Sequence, residues 1–345
     1  MIPTLQDPPY IIAEIGANHN GDMTLAEKLI TTAAECGASA VKFQSWDTTI
    51  FSRQVYEQNF FLGDDYRNRA DFDLKEIVQE FSIDKEQLKD LSACCKDASI
   101  DFSSTPFNVE QLDDLIELGV PYIKIASMDL NNPLLLDAAG RSGLPVVLST
   151  GFGSMAEIDT AVERLERAGV HELAILHCVS LYPPADGEVN LRNIPMLQSC
   201  FGYPTGFSDH TVGTAIPLAA IALGACVLEK HFTLDKSMFG WDHKVSADPD
   251  EMREICVGAA RVHTALGAPR RKVGERELER RDEYRRSIVS IKALSAGHTL
   301  SEEDIDFRRP GTGIAPPELE RVIGRKVQTD LPEDTLIDWS HLSAL

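Results

Sequence analysis

Eight short apolar runs rich in β-branched residues alternate with stretches of helical periodicity between residues 10 and 266. Apolar runs without apolar–polar alternation are typical of parallel strands that are buried on both faces. Eight such strands, each followed by a helix, predict an α/β fold with a (β/α)8 (TIM) barrel at residues 1–267. The predicted strands are Tyr10–Ile15, Ala40–Gln44, Ile100–Ser103, Tyr122–Ala126, Pro145–Ser149, Glu172–His177, Thr205–Phe207 and Ala225–Lys230.

Local signals place the ends of two helices. Ser154 and Glu157 have the spacing of a capping box, which predicts a helix that begins there and runs toward Gly169. Asp248, followed by a proline and two acids, predicts the start of the eighth barrel helix, which would end at Gly267.

Residues 45–83 form a long polar, aromatic and charged segment between the second strand and the next helix. In a TIM barrel such an insertion lies on the face formed by the C-terminal ends of the strands, where active sites lie. The segment is therefore a candidate lid or dimer contact, and a poorly ordered insertion is the alternative.

The pattern changes after Gly267. Residues 268–286 carry a dense mixture of both charges, which predicts a linker with a solvated helix. Residues 287–345 contain short strand-like runs broken by Gly and Pro, which predict a separate small β-rich domain. A domain of this size is marginally stable alone, so we expect it to dock on another surface.

Composition excludes some classes of function. The formal net charge of −21 argues against nucleic acid and anionic membrane surfaces as partners, because both are bound through Lys and Arg. No apolar run reaches the roughly 18 residues that span a bilayer, and the N-terminus lacks the basic region of a signal peptide, so we expect a cytoplasmic protein. The seven cysteines show no CxxC or zinc-type spacing, and we expect them to be small buried residues in a reducing compartment.

Polar residues cluster at the predicted C-terminal ends of the strands, which line the active site of a TIM barrel. Two lysines and several hydroxyls that face one cavity suit a phosphate or carboxylate ligand. The turn Ser149–Gly153 also opens a helix, and helix N-termini attract phosphate. The other candidate anion-binding residues are Lys42, Thr105, Lys124, Ser127 and Ser208.

His210 and His231 are candidate metal ligands because they follow or end two adjacent predicted strands. Two imidazoles, completed by water and substrate oxygens, suit a divalent transition metal in an open site. A lone histidine is more often a hydrogen-bonded structural residue, but the paired placement favours ligands. For His177 the alternative of a packed strand residue stays open.

Three carboxylates lie near predicted strand ends or in the loop after the eighth strand: Glu14, Asp129 and Asp242. Carboxylates at these places bind sugar hydroxyls or relay protons. For Asp129 and Asp242, a solvated loop position is the alternative.

Seven motifs occur in one order along the predicted barrel: AEIGANHNG, VKFQ, STPF, YIKIAS, LSTG, FSDHT and EKHFTLD. In this order they resemble the sialic acid synthase (N-acetylneuraminate synthase) family. The terminal segment RRSIVSIKALSAGHTLSEEDIDFRRPGTGI resembles the C-terminal antifreeze-like (SAF) domain of that family. The resemblance covers nearly the whole chain.

The resemblance implies a reaction between phosphoenolpyruvate and an open-chain N-acylhexosamine held by a divalent metal, usually Mn²⁺, with Mg²⁺ or Co²⁺ as alternatives. In that family C3 of phosphoenolpyruvate attacks the sugar aldehyde, water adds at C2, and phosphate leaves through C–O cleavage. The family positions match His210 and His231 for the metal; Lys42, Thr105, Lys124, Ser127, Ser149, Ser180 and Ser208 for phosphoenolpyruvate; Glu14 and Asp242 for catalysis; and Asp129 and Tyr182 for the sugar. Ser180 stands where relatives often have Asn.

Arg309, in the motif RPGTGI, resembles the family residue that reaches from the SAF domain into the partner subunit's barrel. In that family the small domain covers the site and contacts the N-acyl group of the sugar. The resemblance therefore implies a domain-swapped homodimer.

Two features depart from the family pattern at the sugar pocket. Asp129 stands where many bacterial N-acetylneuraminate synthases have Glu, and the loop SMFGWDHKVS lacks the Pro-rich form of those relatives. Altered contacts to sugar hydroxyls redirect specificity strongly. Both N-acetylmannosamine and 2,4-diacetamido-2,4,6-trideoxymannose remain candidate acceptors, and the sequence slightly favours the second, which gives a legionaminic-type product.

Two other functions compete with this interpretation. A Schiff-base aldolase would use Lys124 or Lys230 as its nucleophile and would need no metal. The paired histidines and the SAF-like domain weigh against it. A non-enzymatic protein, in which the SAF-like domain binds ice or polysaccharide, leaves the polar strand ends unexplained.

Overall fold

The computed structural model of the chain describes residues 2–4, 6–59 and 71–344. The chain divides into two compact units, Met1–Gly267 and Ala268–Leu345. Across the described ranges, no helix combines the length and the apolar character needed to cross a membrane.

The first unit is built around one eight-stranded sheet in the order β3-β2-β1-β8-β7-β6-β5-β4. All of its strand pairs are parallel, and β3 lies beside β4, so the sheet forms a nearly closed barrel. The predicted (β/α)8 barrel is confirmed, and each predicted strand matches to within one or two residues at its ends. The strands are β1 Tyr10–Gly16, β2 Ala40–Gln44, β3 Asp101–Thr105, β4 Ile123–Ile125, β5 Val146–Ser149, β6 Leu173–Cys178, β7 Thr205–Asp209 and β8 Val227–His231.

Helices follow the strands and cover the outside of the barrel. The predicted capping box at Ser154 and the predicted N-cap at Asp248 are both present: Ser154 caps the helix that ends at Gly169, and Asp248 caps the helix that ends before Gly267. The helices of this unit are α1 Met23–Cys36, α2 Arg53–Glu57, α3 Leu74–Phe81, α4 Lys85–Asp97, α5 Val109–Leu118, α6 Pro133–Arg141, α7 Met155–Ala168, α8 Asn193–Phe201, α9 Ala215–Ala222 and α10 Pro249–Leu266.

Successive residues of a strand face opposite sides of the barrel wall. In β8, Leu228 packs in the layer between sheet and helices, whereas Val227 belongs to the cluster inside the barrel. Glu229 and His231 continue the inner side of the same strand. This alternation determines which polar residues reach the interior.

The predicted insertion at residues 45–83 contains α2 and α3, and its residues 60–70 lie outside the described part of the chain. Buried Phe81 packs edge-on against Trp241 of the loop after β8, with ring centroids 5.2 Å apart. Trp46 contacts the same indole at 5.1 Å. The described part of the insertion therefore supports the loop that follows β8.

The second unit has a small core of its own. Its helices are α11 Glu275–Glu279, α12 Arg281–Tyr284 and α13 Leu319–Val322, so the predicted linker contains two short helices. Strands β9 Ser287–Ser290 and β10 Ile305–Arg308 pair antiparallel. The core consists of Ile288, Leu294, Leu300, Ile305, Ile314, Val322, Val327, Leu331, Ile337 and Leu342.

All seven cysteines are free thiols. Cys36, Cys95, Cys178 and Cys226 are buried, as predicted. The prediction of burial is wrong for Cys200, which is exposed in the last turn of α8, whereas its neighbour Phe201 packs against the core.

Candidate active site

A cavity of about 550 Å³ opens at the C-terminal ends of the barrel strands, and all eight strands contribute residues to it. Eleven of the fourteen residues predicted for the site line this cavity: Glu14, Lys42, Thr105, Lys124, Ser127, Ser149, Ser180, Tyr182, Ser208, His210 and His231. Asp129 and Asp242 are not among its lining residues, and Arg309 belongs to the second unit. The structure thus brings the predicted anion-binding residues and the histidine pair into one space.

Lys42 lies on the barrel wall with its ammonium group inside the cavity. Its Nζ is 2.6 Å from Oε2 of Glu14 and donates a hydrogen bond to Oγ1 of Thr105 at 2.7 Å. Both Lys42 and Glu14 are almost fully buried, and removing either partner of such a pair would leave a costly buried charge.

Burial raises the pKa of the Glu14 carboxyl to about 7, although the nearby Lys42 ammonium opposes the rise. The side-chain amide of Gln44 donates a hydrogen bond to Oε1 of Glu14 at 3.0 Å and fixes the carboxyl in place. A held carboxyl that titrates near neutral pH can donate or accept a proton, which is the requirement for a general acid or base.

Lys124 supplies the second buried cation. Its Nζ donates to Oγ of Ser149 at 2.7 Å and to the carbonyl of Ile125 at 2.9 Å. Burial lowers the pKa of the Lys124 ammonium, whereas the neighbouring Glu229 carboxylate raises it. Both lysines therefore lie in a low-dielectric space, where an ammonium attracts an anion more strongly than in water.

The turn after β5 allows the hydroxyls of the site to approach its backbone. The amide of Gly151 donates to Oγ of Ser127 at 3.0 Å. A Cβ atom at Gly151 would clash with the hydroxyls of Ser180 and Ser127, so glycine is required at this position.

The rings of His210 and His231 lie 5.4 Å apart between centroids. Nδ1 of His210 is 2.9 Å from the carbonyl of Val179; because a carbonyl only accepts, this nitrogen carries a proton and Nε2 is the nitrogen left for a ligand. Burial lowers the pKa of His231 well below its ordinary value, so its imidazole is neutral. Tyr182 stacks on His210 with ring centroids 4.0 Å apart.

This pair of side chains fits a divalent transition metal, which binds neutral imidazoles. Nδ1 of His231 is buried without a hydrogen-bond partner, and Oδ2 of Asp242 lies 3.8 Å from it. Within the described residues, no group of three or more His, Cys, Asp and Glu side chains forms a ready-made metal cage. A metal held here would therefore keep open positions for water or substrate.

Asp242 lies beside the histidine pair in the loop after β8, just outside the cavity lining. Burial raises the pKa of its carboxyl to about 6, against the effect of His210. Asn18 of the AEIGANHNG motif holds this loop: its Nδ2 donates to Oγ of Ser246, which in turn donates to the carbonyl of Asp242 at 2.7 Å.

Two predicted sugar-binding residues are not part of the cavity lining. Asp129 is buried in a turn after β4, where its Oδ1 accepts a hydrogen bond from Nδ2 of Asn132 at 2.9 Å. Arg309 is an exposed residue of the second unit, where its guanidinium lies over the ring of Tyr284 at 5.1 Å.

A model of the NeuB family matches residues 29–271, which is most of the barrel unit, and a model of the SAF domain matches residues 285–343. The chain belongs to the NeuB family. Two relatives that match over almost their whole length are the N,N'-diacetyllegionaminic acid synthases of Legionella pneumophila and Campylobacter jejuni. The first is 36% identical over 97% of this chain and 95% of its own length, and the second is 37% identical over 95% and 98%.

A solved structure has the same architecture. The N-acetylneuraminic acid (sialic acid) synthetase from Leptospira borgpetersenii serovar Hardjo-bovis, in complex with citrate, is 37% identical and superposes with a TM-score of 0.70. The match covers 79% of this chain and 90% of that chain. This NeuB-family barrel is therefore a fold shared with named sialic and legionaminic acid synthases.

The sequence offers Lys124 and Lys230 equally as the nucleophile of a Schiff-base aldolase, but the structure places them on opposite sides of the barrel wall. Lys124 lines the cavity, whereas Lys230 faces the outside of the barrel wall, where its Nζ is 2.9 Å from Oδ2 of Asp209 and contacts the carbonyl of Thr211. Both members of this pair are fully buried. Lys230 is therefore a structural residue in this NeuB-family protein.

Sequence reasoning missed Glu229 as a site residue. Its side chain lines the cavity between the two lysines of the anion site. The signal was present, because Glu229 precedes His231 by two residues and therefore faces the same side of β8. The aromatic part of the lining, Trp46, Phe51, Phe107 and Phe152, comes from loops and had no such signal.

Proposed function

We propose that this protein condenses phosphoenolpyruvate with an N-acylated aminohexose in a metal-dependent reaction, giving a nine-carbon sialic-type 2-keto acid and phosphate. C3 of phosphoenolpyruvate would bond to the sugar aldehyde carbon, and a water oxygen would add at C2. The C2–O bond to phosphate would then break, so that phosphate leaves with the bridging oxygen.

One observation carries the proposal: Lys42 and Lys124 face the same cavity as His210 and His231. The two ammonium groups, with the surrounding serine and threonine hydroxyls, provide donors for the phosphate and carboxylate of phosphoenolpyruvate. The histidine pair, at the mouth of the same cavity, provides a place for the sugar aldehyde. A site that binds both reactants side by side removes much of the entropic barrier to their reaction.

Two carboxyls are suited to move protons during this reaction. The pKa of Glu14 is raised to about 7 and that of Asp242 to about 6, in both cases mainly by burial. Glu14 lines the cavity, where it can take a proton from water that adds at C2. Asp242 lies beside His231, where it can protonate the oxygen of the former aldehyde.

His210 and His231 would hold the divalent metal, which we propose is Mn²⁺, with Mg²⁺ or Co²⁺ as alternatives. When bound, such an ion polarises a carbonyl oxygen as a Lewis acid. The protein contributes the imidazoles of His210 and His231, the hydrogen bond that orients His210 on Val179, and the nearby carboxyl group of Asp242.

We propose 2,4-diacetamido-2,4,6-trideoxymannose as the acceptor, ahead of N-acetylmannosamine. The identities of 36% and 37% to two N,N'-diacetyllegionaminic acid synthases support this choice. The departure in sequence in the loop after β8 supports it as well, because this loop carries Asp242, which lies beside His231.

We further propose that the protein acts as a domain-swapped homodimer in which Arg309 reaches the partner's barrel and contacts the N-acyl group. The rim of the cavity supports this arrangement, because Met128 is 62% exposed, Phe152 is 79% exposed and Tyr182 is 47% exposed. Exposed apolar side chains grouped around a site are typical of surfaces that another chain covers.

A Schiff-base aldolase is the second candidate, and one observation favours it. Lys124 lines the cavity, and burial lowers its pKa, as in lysines that attack carbonyl carbons. Such an enzyme would be inactivated by borohydride in the presence of pyruvate, at Lys124, with or without EDTA.

The proposal is tested by phosphate release from phosphoenolpyruvate, with each of the two sugars and Mn²⁺. We expect release with the diacetamido sugar, loss of release in EDTA, and no inactivation by borohydride with pyruvate. Release with N-acetylmannosamine alone would correct the acceptor, whereas release with neither sugar would reject the proposed reaction.

A further inference from the structure

Glu229 lies inside the proposed anion site although it carries a negative charge. Its side chain lines the cavity and is 7% exposed. Oε2 lies 3.8 Å from Nζ of Lys42, and Oε1 lies 4.0 Å from Nζ of Lys124. Oε1 also accepts a hydrogen bond from Oγ of Ser208 at 3.2 Å. One carboxylate thus joins residues of β2, β4 and β7 that we propose bind phosphoenolpyruvate.

The distances explain how a carboxylate can share a site with a bound anion. Both N–O separations exceed the roughly 2.7–3.2 Å of a direct hydrogen bond, so Glu229 does not take the ammonium donors. Lys124 uses two of its three donors on Ser149 and the carbonyl of Ile125. The third donor remains for a ligand.

Lys42 and Lys124 differ in how strongly their positive charge depends on the carboxylate of Glu229. Lys42 also has Glu14 at 2.6 Å. For Lys124, the ion-pair partner within the described residues is Glu229. Loss of the Glu229 charge would therefore affect Lys124 most.

The charged and titratable groups around Lys124, which include Asp129 in the turn after β4, act on its pKa in opposite directions. Burial lowers its pKa, and Lys42 lowers it further. Glu229 is the strongest group that raises it, ahead of Cys178 and Glu14. A neutral amine would hold neither a phosphate nor a carboxylate.

Building on the proposed function, we propose that Glu229 is a positioning residue: it is the counter-ion that keeps the Lys124 ammonium charged while leaving its third donor to phosphoenolpyruvate. Glu229 does not itself touch the substrate. It sets the upper limit of the pH range in which the site binds an anion.

The test is the pH dependence of phosphoenolpyruvate binding to the full-length chain, measured by calorimetry without sugar from about pH 7 to about pH 10. Glu229→Gln keeps the shape and removes the charge, so we expect the alkaline midpoint of binding to fall by about 1–3 pH units. Glu229→Asp keeps the charge and should shift it less. Glu254→Gln, an exposed substitution on α10, should leave it unchanged.

An unchanged midpoint in folded Glu229→Gln would overturn the inference. If that variant does not fold, Glu229→Asp is the deciding variant. A smaller fall of the alkaline midpoint of binding supports the counter-ion role, and an unchanged midpoint overturns it. Absence of phosphoenolpyruvate binding by the unmodified chain at every pH would instead reject the proposed function on which this inference rests.

Discussion

The imidazole rings of His210 and His231 lie 5.4 Å apart between centroids, at the C-terminal ends of β7 and β8, which pair in parallel. The spacing follows from the barrel, because neighbouring strands bring residues at their ends together. The two rings share a cavity with both buried lysines. Much of the proposed chemistry depends on this pair.

His231→Gln tests the metal site directly. It removes one imidazole ligand, so we expect the Mn²⁺ concentration for half-maximal activity to rise at least ~10-fold. The measurement is Mn²⁺ binding by calorimetry together with a titration of activity. His171→Gln, an exposed substitution, is the matched control. Unchanged Mn²⁺ affinity in His231→Gln would remove His231 from the site.

Lys230→Met tests the structural role of the pair behind the barrel wall. Asp209 would be left as an unpaired buried charge, which costs on the order of 3–5 kcal/mol of unfolding free energy. Urea denaturation measures this loss, and adding Asp209→Leu should recover part of it. Lys28→Met, an exposed substitution on α1, should change little. A Lys230→Met chain as stable as the unmodified one would contradict the assigned role.

Asp304 predicts acid sensitivity of the second unit. Burial alone would raise its pKa, but the ion pair with Lys292 and hydrogen bonds from His298 and Ser301 hold its pKa well below the ordinary value of 3.8. Because the folded value lies below the unfolded value, Asp304 stabilises the fold above about pH 3.8 and loses this contribution as the pH falls further.

Asp304→Asn should therefore remove the contribution at neutral pH. We expect hydrogen exchange in β9 and β10 to become at least ~10-fold faster, with a weaker dependence on acid. Asp306→Asn is the control: it loses an exposed pair with Arg308, while the amide oxygen of Asn can still accept from the backbone N–H of Phe307. Equal exchange rates in the two variants would show that Asp304 does not stabilise this unit.

Arg309→Ala tests the contact across the proposed dimer. We expect the KM for the sugar to rise at least ~10-fold, with the KM for phosphoenolpyruvate unchanged, because the guanidinium would contact the N-acyl group. Arg308→Ala, the neighbouring substitution, should leave both constants unchanged.

Mixing variants decides whether Arg309 acts on its own barrel or on the partner's. A Lys124→Met chain and an Arg309→Ala chain each lack one part of the site. If Arg309 acts across the dimer, exchange of subunits should restore about a quarter of the activity, since half the dimers would carry one complete site. No recovery from exchanged dimers would place Arg309 over its own barrel.

Much of the fold could be predicted because its signals are local. The buried strands, the capping residues Ser154 and Asp248, and the change of pattern after Gly267 each depend on neighbours in sequence. The strand ends then placed most site residues, since every strand of a barrel ends at the same face.

The remaining placements depend on which side of the barrel wall a side chain faces. A list of strand ends does not give this information. Lys124 and Lys230 both lie in strands, yet only Lys124 faces the cavity; applying the two-residue period would have separated them and found Glu229. Asp129 lies in a 3-10 turn after β4 and is not part of the cavity lining, a placement that no periodicity predicts. Cys200 was misplaced because hydrophobic character alone does not decide burial in the last turn of a helix.

The most direct test of the central claim is the mass of the product. The protein is incubated with phosphoenolpyruvate, Mn²⁺ and 2,4-diacetamido-2,4,6-trideoxymannose, and the mixture is analysed by mass spectrometry. The account predicts an acid whose mass equals sugar plus phosphoenolpyruvate plus water, less phosphoric acid, that forms in step with phosphate release and is absent in EDTA. Unchanged sugar beside a consumed phosphoenolpyruvate, or an adduct that forms from pyruvate without metal, would contradict it.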